Sequence, residues 1–232
     1  MRVTLESTVK ELIPNAKFGI IFYEDITIGS SPQMLKGRIR LFQESLNIDL
    51  VDKEMKDIPG IMEWRSIFKQ TGTDPSRYRP SVEALYRRIK KGQFLEPFNS
   101  AVDLNNFFSL KYEIPLGIYD STKINGDISI TIGEEDNTYE GLNGREVTLH
   151  NMVHTKDATS SFGSPFVDSK RTAITEATTS AVHIIYLKPS MDNTECQEML
   201  EAILKMFTQV HGGTGRVVMV GTGSLSHINR TM

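Results

Sequence analysis

The residues best suited to chemistry fall in three groups. Arg77, Arg79, Arg87 and Arg88, with Lys90 and Lys91, form the densest cationic cluster in the chain. Cations at that spacing either neutralise phosphate oxygens or ride on the solvated face of a helix, near its negative end. Asn99, Asp103 and Asn106 stand four and three residues apart, which puts them on one helical face. There they line a polar pocket or satisfy the backbone of a neighbouring loop, since an unpaired buried amide or carboxylate costs on the order of a few kcal/mol. Asp168, Ser169, Lys170, Arg171 and Thr172, followed by Thr175, Thr178 and Thr179, pack hydroxyls, cations and a carboxylate closely enough to cradle an amino acid or a phosphate. Turn chemistry with capping hydroxyls uses the same residue types.

Other candidates fail on context. Glu134, Glu135, Asp136 and Glu140 lie in a wet loop, whereas acid–base pairs work at set separations in an enclosed site. His150 and His154 have the spacing of a helical ligand pair in strand-like surroundings with no third ligand, so no metal site is expected. His183 sits inside an apolar run and reads as a satisfied core histidine. Gly212-Gly213-Thr214-Gly215 follows a helix and precedes a strand, the reverse of a phosphate-binding loop; Gly221-Thr222-Gly223-Ser224 lacks the Gly-Lys-Ser/Thr ending. No nucleotide or other cofactor is expected.

These residues need elements to hold them. Thr71 to Ser76 is dense in turn formers and ends a helix that starts after Pro59-Gly60. Pro80 suits a first helical position, Val82, Leu85, Tyr86 and Ile89 form a buried stripe behind the cations, and Gly92 closes the helix. Asn99 to Tyr112 predicts a largely buried helix, and Leu35, Ile39, Phe42 and Leu46 predict another. Strands are expected over Phe18 to Tyr23, continuing through Ile28, and over Ile128 to Ile132 and Ala181 to Leu187. Val147, Leu149 and Val153 suggest one more strand, residues 158–165 a flexible loop, and Asp192 to Val210 a final helix. Trp64 reads as core area, and Arg65 as its neighbour making a stacking or carboxylate contact.

The 232 residues, 39% hydrophobic and 24% charged, predict one globular domain over the whole length. A net charge of -3 supplies no general field for nucleic acid, so RNA binding would depend on a local patch. A single cysteine, Cys196, forbids an intrachain disulfide. Glu6, Lys10 and Glu11 stand where a secretory signal needs an apolar core, and no run reaches membrane-span length, so a cytoplasmic protein without membrane contact is expected.

Several separated blocks recur in a known order. Trp64 to Lys69, Gly72 to Arg88, Asn99 to Asn106, Leu110 to Gly117, Ile124 to Ile128 and Asp168 to Thr178 together resemble the stand-alone relatives of the B3/B4 domain of the bacterial phenylalanyl-tRNA synthetase beta subunit. The resemblance implies an α+β fold, a three-layer β-sandwich of unusual topology flanked by helices. In the synthetase this domain proofreads, receiving the 3′ end of a tRNA mischarged with tyrosine and promoting ester hydrolysis. The partners implied are tRNA or aminoacyl-tRNA, with Arg77, Arg79, Arg87 and Arg88 meeting phosphates. The implied pocket gathers Asn105, Asn106, Pro115, Gly117, Ser169, Arg171 and Thr172.

Three departures bear on that activity. Editing-competent members of the family carry threonine where this chain has Asn105, histidine where it has Gly117, and a carboxylate in the strand that here runs from Ala181 to Leu187. Without the carboxylate, nothing hydrogen-bonds the tyrosine hydroxyl. Two functions remain open: a trans-acting hydrolase of mischarged tRNA, and a non-catalytic module for a free amino acid or similar small polar ligand. Two substitutions follow. Gly117→His is expected to restore part of the hydrolysis if the pocket is otherwise kept, and Arg87→Glu with Arg88→Glu to weaken tRNA binding while leaving the fold intact.

Overall fold

The computed structural model describes residues 1–221 and 230–231 of the chain. β1 (Val3–Leu5) and α1 (Ser7–Leu12) lead into β2 (Lys17–Glu24), and α2 (Gln33–Asp49) carries the Leu35, Ile39, Phe42, Leu46 stripe. α3 (Pro59–Thr71) opens on Pro59, whose missing N–H costs nothing there, and stops at Gly72, where φ of 91° demands glycine. α4 (Ser81–Lys90) begins one residue later than expected, with Pro80 outside the helix as its N-cap. α5 (Ser100–Tyr112) is capped by the Asn99 side chain, which accepts the Val102 N–H at 2.9 Å.

The remaining chain is mostly strand: β3 (Leu116–Asp120), β4 (Ile128–Ile132), β5 (Thr138–Glu140), β6 (Glu146–Thr148), β7 (Val153–Lys156), β8 (Ser161–Gly163) and β9 (Ala181–Tyr186). α6 (Asn193–His211), with an Asp192–Glu195 capping box, precedes β10 (Thr214–Gly221) and β11 (Arg230–Thr231). One sheet has the order β11-β10-β2-β9-β3 with every pair antiparallel; a second has the order β1-β4-β7-β8 with β1 parallel to β4. β5 and β6 form a separate two-stranded ribbon.

Alternation along the central strands builds three layers, because successive side chains of a strand point to opposite faces. Ile21 and Tyr23 of β2, His183 and Ile185 of β9, and Val217 and Met219 of β10 face α5 and α6. Phe18, Ile20 and Phe22, then Val182, Ile184 and Tyr186, then Val218 and Val220 face the four-stranded sheet, where Val3, Ile128, Ile130, Val153 and Phe162 meet them. Strands buried on both faces need no polar alternation, which is why the β2 and β9 segments read as continuous apolar runs. Trp64 of α3, 1% exposed, closes the edge of this second core and donates its indole N–H to the Tyr186 carbonyl at 2.9 Å. The expected α+β sandwich flanked by helices is thus the architecture found, and no helix among the described residues is long and apolar enough to cross a membrane.

Three local expectations are corrected. Asp25 to Ile28 is not strand: Asp25 turns to φ 56°, and the Ile26 and Thr27 N–H groups bond to Thr179 and His211 carbonyls instead of a ladder. The segment around Val147 to Val153 is two strands, broken at Asn151, where φ is 61°. Residues 161–163, expected as loop, pair with β7. Residues 222–229 and 232, which include most of the second glycine cluster and much of the tail after His227, lie outside the described residues.

Candidate functional site

The cationic cluster on α4 lies over a buried carboxylate. Glu83, in the first turn of α4, has a fully buried side chain that accepts from Arg65 at 2.8 Å and from Arg87 at 2.8 Å. Arg87 is therefore committed to holding Glu83, and the expectation that Arg87→Glu leaves the fold intact is corrected: it would set a second carboxylate against a buried one. Beside this pair opens a cleft of about 560 Å³ lined by Glu54, Met55, Lys56, Arg65, Arg87, Lys90 and Lys91. Lys90 reaches the Lys53 carbonyl and Lys56 pairs with Glu54, so Lys91 is the lining cation whose side chain has no ion pair or hydrogen bond among the described residues. Arg88 is exposed on α4 outside the cleft lining, Arg79 is exposed, and Arg77 stacks its guanidinium 5.1 Å from the Tyr78 ring centre. Lys56, Lys90 and Lys91 add to the candidates for phosphate; Lys90 and Lys91 are visible in the sequence cluster, while Lys56 joins it only through the fold.

The seven candidate pocket residues fall in separate surroundings. Asn105 turns toward the central sheet, its Oδ1 accepting from His183 Nε2 at 3.0 Å, while the Tyr23 hydroxyl lies 3.3 Å from His183 Nδ1. With both ring nitrogens occupied, and burial lowering its pKa to about 3, His183 is a neutral core histidine as expected. Asn106 lines a groove between α2 and α5. On the same helical face, Asn99 caps α5 and Asp103 holds Phe98 N–H at 2.8 Å and the Ser31 hydroxyl at 2.6 Å, so two of those three side chains serve neighbouring chain. Pro115 is buried, its carbonyl accepting from Tyr186 N–H at 3.1 Å.

Gly117 faces the other side of the sheet from Asn105. A Cβ there would land on the Tyr119 hydroxyl and within 2.8 Å of Asp168 Oδ1, so the ring of Tyr119 occupies the space that a larger residue would need. The expectation that Gly117→His restores hydrolysis is corrected on that ground: no imidazole fits while Tyr119 and Asp168 stay in place.

Ser169 and Arg171 share a polar cleft of about 350 Å³ with Thr138, Tyr139, Glu140, Ser160, Ser161 and Lys170. Ser169 caps the short turn Lys170–Thr172 by accepting the Arg171 N–H at 3.1 Å. Arg171 straddles Asp157, with contacts of 3.2 and 3.1 Å to its two oxygens, and also donates to the Lys123 and Ser160 carbonyls. Thr172 is buried, and its hydroxyl has no partner. Lys170 pairs with Glu140 at 3.0 Å.

Between these places sits a carboxyl whose surroundings the sequence does not show. Asp168 accepts a 2.5 Å hydrogen bond from Tyr119, and Tyr139 and the unpartnered buried hydroxyl of Tyr186 are close enough to feel its charge. Burial among these rings pushes the Asp168 carboxyl up to about 7, against the lowering pull of the Tyr119 hydroxyl and a backbone contact at Ser164. No ion pair reaches it among the described residues. A carboxyl titrating near neutrality can take or give a proton there. The folded state holds this proton more tightly than the unfolded chain, so the stabilisation is fully present below about pH 4 and is lost as pH rises through about 7. Asp168→Asn is accordingly expected to flatten the fall in urea midpoint between pH 4 and 8 relative to the unaltered protein. Parallel curves would mean that Asp168 ionises normally.

Comparison with known proteins gives consistent matches. A family model described as the B3/4 domain matches residues 63–212. The chain is 34% identical over 217 residues to the uncharacterised protein YhzB of Bacillus subtilis (strain 168), covering 94% of this chain and 98% of that one. It is 38% identical over 55 residues to the phenylalanine–tRNA ligase beta subunit of Paramagnetospirillum magneticum, covering 24% of this chain and 7% of that subunit. For the beta subunit of Nitrobacter winogradskyi, the figures are 36% over 70 residues, 30% and 8%. An N-terminal fragment of the phenylalanyl-tRNA synthetase beta subunit from Pyrococcus horikoshii superposes with a TM-score of 0.42 at 13% identity, covering 93% of this chain and 50% of that fragment.

Proposed function

The chain belongs to the B3/4 domain family, and from that premise we propose that it binds the 3′ end of tRNA or aminoacyl-tRNA and hydrolyses the ester of a mischarged one in trans. The observation that carries this reading is the cation-lined cleft at α4. In a chain of net charge -3, five cations around one opening of about 560 Å³, set against the carboxylates of Glu54 and Glu83, leave a positive local field that the composition does not supply. Phosphate oxygens match that field, and Glu83 beneath it fixes Arg65 and Arg87 in place, so little side-chain freedom is lost on binding.

For the hydrolytic half the chain offers Asp168, whose carboxyl burial raises to about 7 and which precedes Ser169 of the polar cleft in sequence, although Asp168 itself is bonded to Tyr119 and lines neither cleft. The phenylalanine–tRNA ligase beta subunits supply the substrate class, and the chain spans less than a tenth of the two named above, so their full activity does not transfer. One observation favours a second reading, a non-catalytic module for a free amino acid or similar small polar ligand. The face at Gly117 is closed by Tyr119, while the open cleft at Ser169 and Arg171 is polar and small.

The test is tRNA affinity measured across a salt series. Lys90→Glu with Lys91→Glu, both exposed at the end of α4, is expected to weaken binding and to reduce the slope of log affinity against log salt by about 1.4 to 1.8, one increment for each phosphate no longer neutralised. Unchanged affinity and slope would make the α4 face a solvated surface. An ester-hydrolysis panel of several aminoacyl-tRNAs then separates the two readings, because a binding module turns over none of them.

A further inference from the structure

α2 carries apolar side chains on two faces. Leu35, Ile39, Phe42 and Leu46 turn inward onto the helical layers. Met34, Leu41 and Ile48 recur at every seventh residue on the outward face and are 76%, 67% and 71% exposed. A single exposed leucine needs no explanation, but three large side chains in one line over about four turns of a surface helix do. Seven residues is the period at which one helix meets another along its length. Gly37 lies beside the line with open space in front of it. A glycine inside a helix weakens that helix taken alone, and it lets a second backbone come close.

The charges of the helix are sorted by end. Lys36, Arg38 and Arg40 stand in its N-terminal half, Glu44 and Asp49 in its C-terminal half, with Asp52 just beyond. No acid lies in the first turn and no base in the last. That order is the reverse of what the helix dipole favours, so it costs the isolated helix. Arg40 and Glu44 pair with each other at 2.7 Å while half exposed. The side chains of Lys36, Arg38, Asp49 and Asp52 make no ion pair or hydrogen bond among the described residues. Arg38 and Asp49, about three turns apart, share one flank of the apolar line.

We propose that the outward face of α2 is a self-association surface, on which two copies of this chain pack α2 against α2, antiparallel, about a two-fold axis near Leu41. Met34 of one copy then meets Ile48 of the other, because each stands seven residues from Leu41. An antiparallel pair brings like flanks together, so the Arg38 end of each helix lies along the Asp49 end of the other, twice. A parallel pair would set Arg38 against Arg38. RNA or an anionic lipid surface would be drawn to one end of this face and repelled from the other. A standard interface covers about 800 Å² on each partner, more than one 17-residue helix presents, so a dissociation constant on the order of 10 μM is expected. The inference does not depend on the RNA reading.

Sedimentation equilibrium of the whole chain between about 1 and 200 μM brackets that constant. Leu41→Glu sets two carboxylates across the axis and is expected to give a monomer throughout. Arg38→Glu and Asp49→Lys, each alone, are expected to weaken association about tenfold or more, and an equimolar mixture of the two to recover it, since each copy then supplies the charge that the other lacks at both contacts. All three side chains are exposed, so urea midpoints at low concentration should stay close to that of the unaltered protein. Leu41→Cys, in a chain whose one natural cysteine, Cys196, is buried, is expected to cross-link to itself under oxidation by copper phenanthroline. A monomer at every concentration, or a dimer that Leu41→Glu leaves intact, overturns the proposal. Loss of the dimer in Leu41→Glu with no recovery in the mixture overturns the antiparallel arrangement.

Discussion

Tyrosyl-tRNA of the phenylalanine acceptor is expected to be deacylated by this chain orders of magnitude more slowly than by an editing synthetase. A site that hydrogen-bonds a substrate hydroxyl discriminates by about 10⁴- to 10⁵-fold, and only while the buried partner is present. β9, the strand where the family resemblance places that carboxylate, reads Ala-Val-His-Ile-Ile-Tyr, and its one titratable group facing α5 is His183, already held by Asn105 and Tyr23. Gly117 offers no side chain to position water, and Tyr119 and Asp168 close the space in front of it. Gly117→His is expected to gain no activity and to lower the urea midpoint, since the imidazole must displace Tyr119 from a fully buried position. Pairing it with Tyr119→Ala removes the obstruction and tests whether the histidine can act once it has room. Single-turnover deacylation of tyrosyl- and phenylalanyl-tRNA, with an editing synthetase alongside, is the measurement. Rapid tyrosine-selective turnover by the unaltered chain would refute this account of the pocket.

Arg65→Ala should be among the more damaging single changes to stability, costing about 1.5 to 3 kcal/mol, because it strips one of two cations from a buried carboxylate. The Glu83 side chain has no exposure, and Arg65 contacts both its oxygens, at 3.0 and 2.8 Å. Arg87, 45% exposed on its own side chain, then has to compensate alone and does so less well. Glu83→Gln in the Arg65→Ala background removes the stranded charge and is expected to recover much of the loss, so a double-mutant cycle isolates the coupling. Urea denaturation of the four proteins reads it directly. A loss below about 1 kcal/mol for Arg65→Ala would mean that water reaches Glu83 and the pair behaves like a surface bridge. The functional consequence is that the rear wall of the α4 cleft is structural, and probes of RNA binding belong on Lys90, Lys91 and Lys56.

Local pattern determined most of the elements from sequence. Proline and glycine stops bounded α3, the 3.6-residue stripes marked α2, α4 and α6, and continuous apolar runs marked β2 and β9, because these signals act within a few residues of chain. The stretch from Asp25 to Ile28 misled for a related reason: alternation reports which side chains are buried, and a loop whose N–H groups find Thr179 and His211 buries Ile26 and Ile28 as well as a strand would. The family was legible too, since its blocks are linear. What only the tertiary structure decided is which charges are free and which glycines are open. Glu83 and Arg65 are eighteen residues apart, and nothing local says that the carboxylate is buried and consumes two cations. Gly117 reads as an empty position until the ring two residues along β3 is seen folding back over it to reach Asp168, forty-nine residues from Tyr119 in the chain. Desolvation by distant segments sets the charge state of that carboxyl, and the sequence carries no local signal of it.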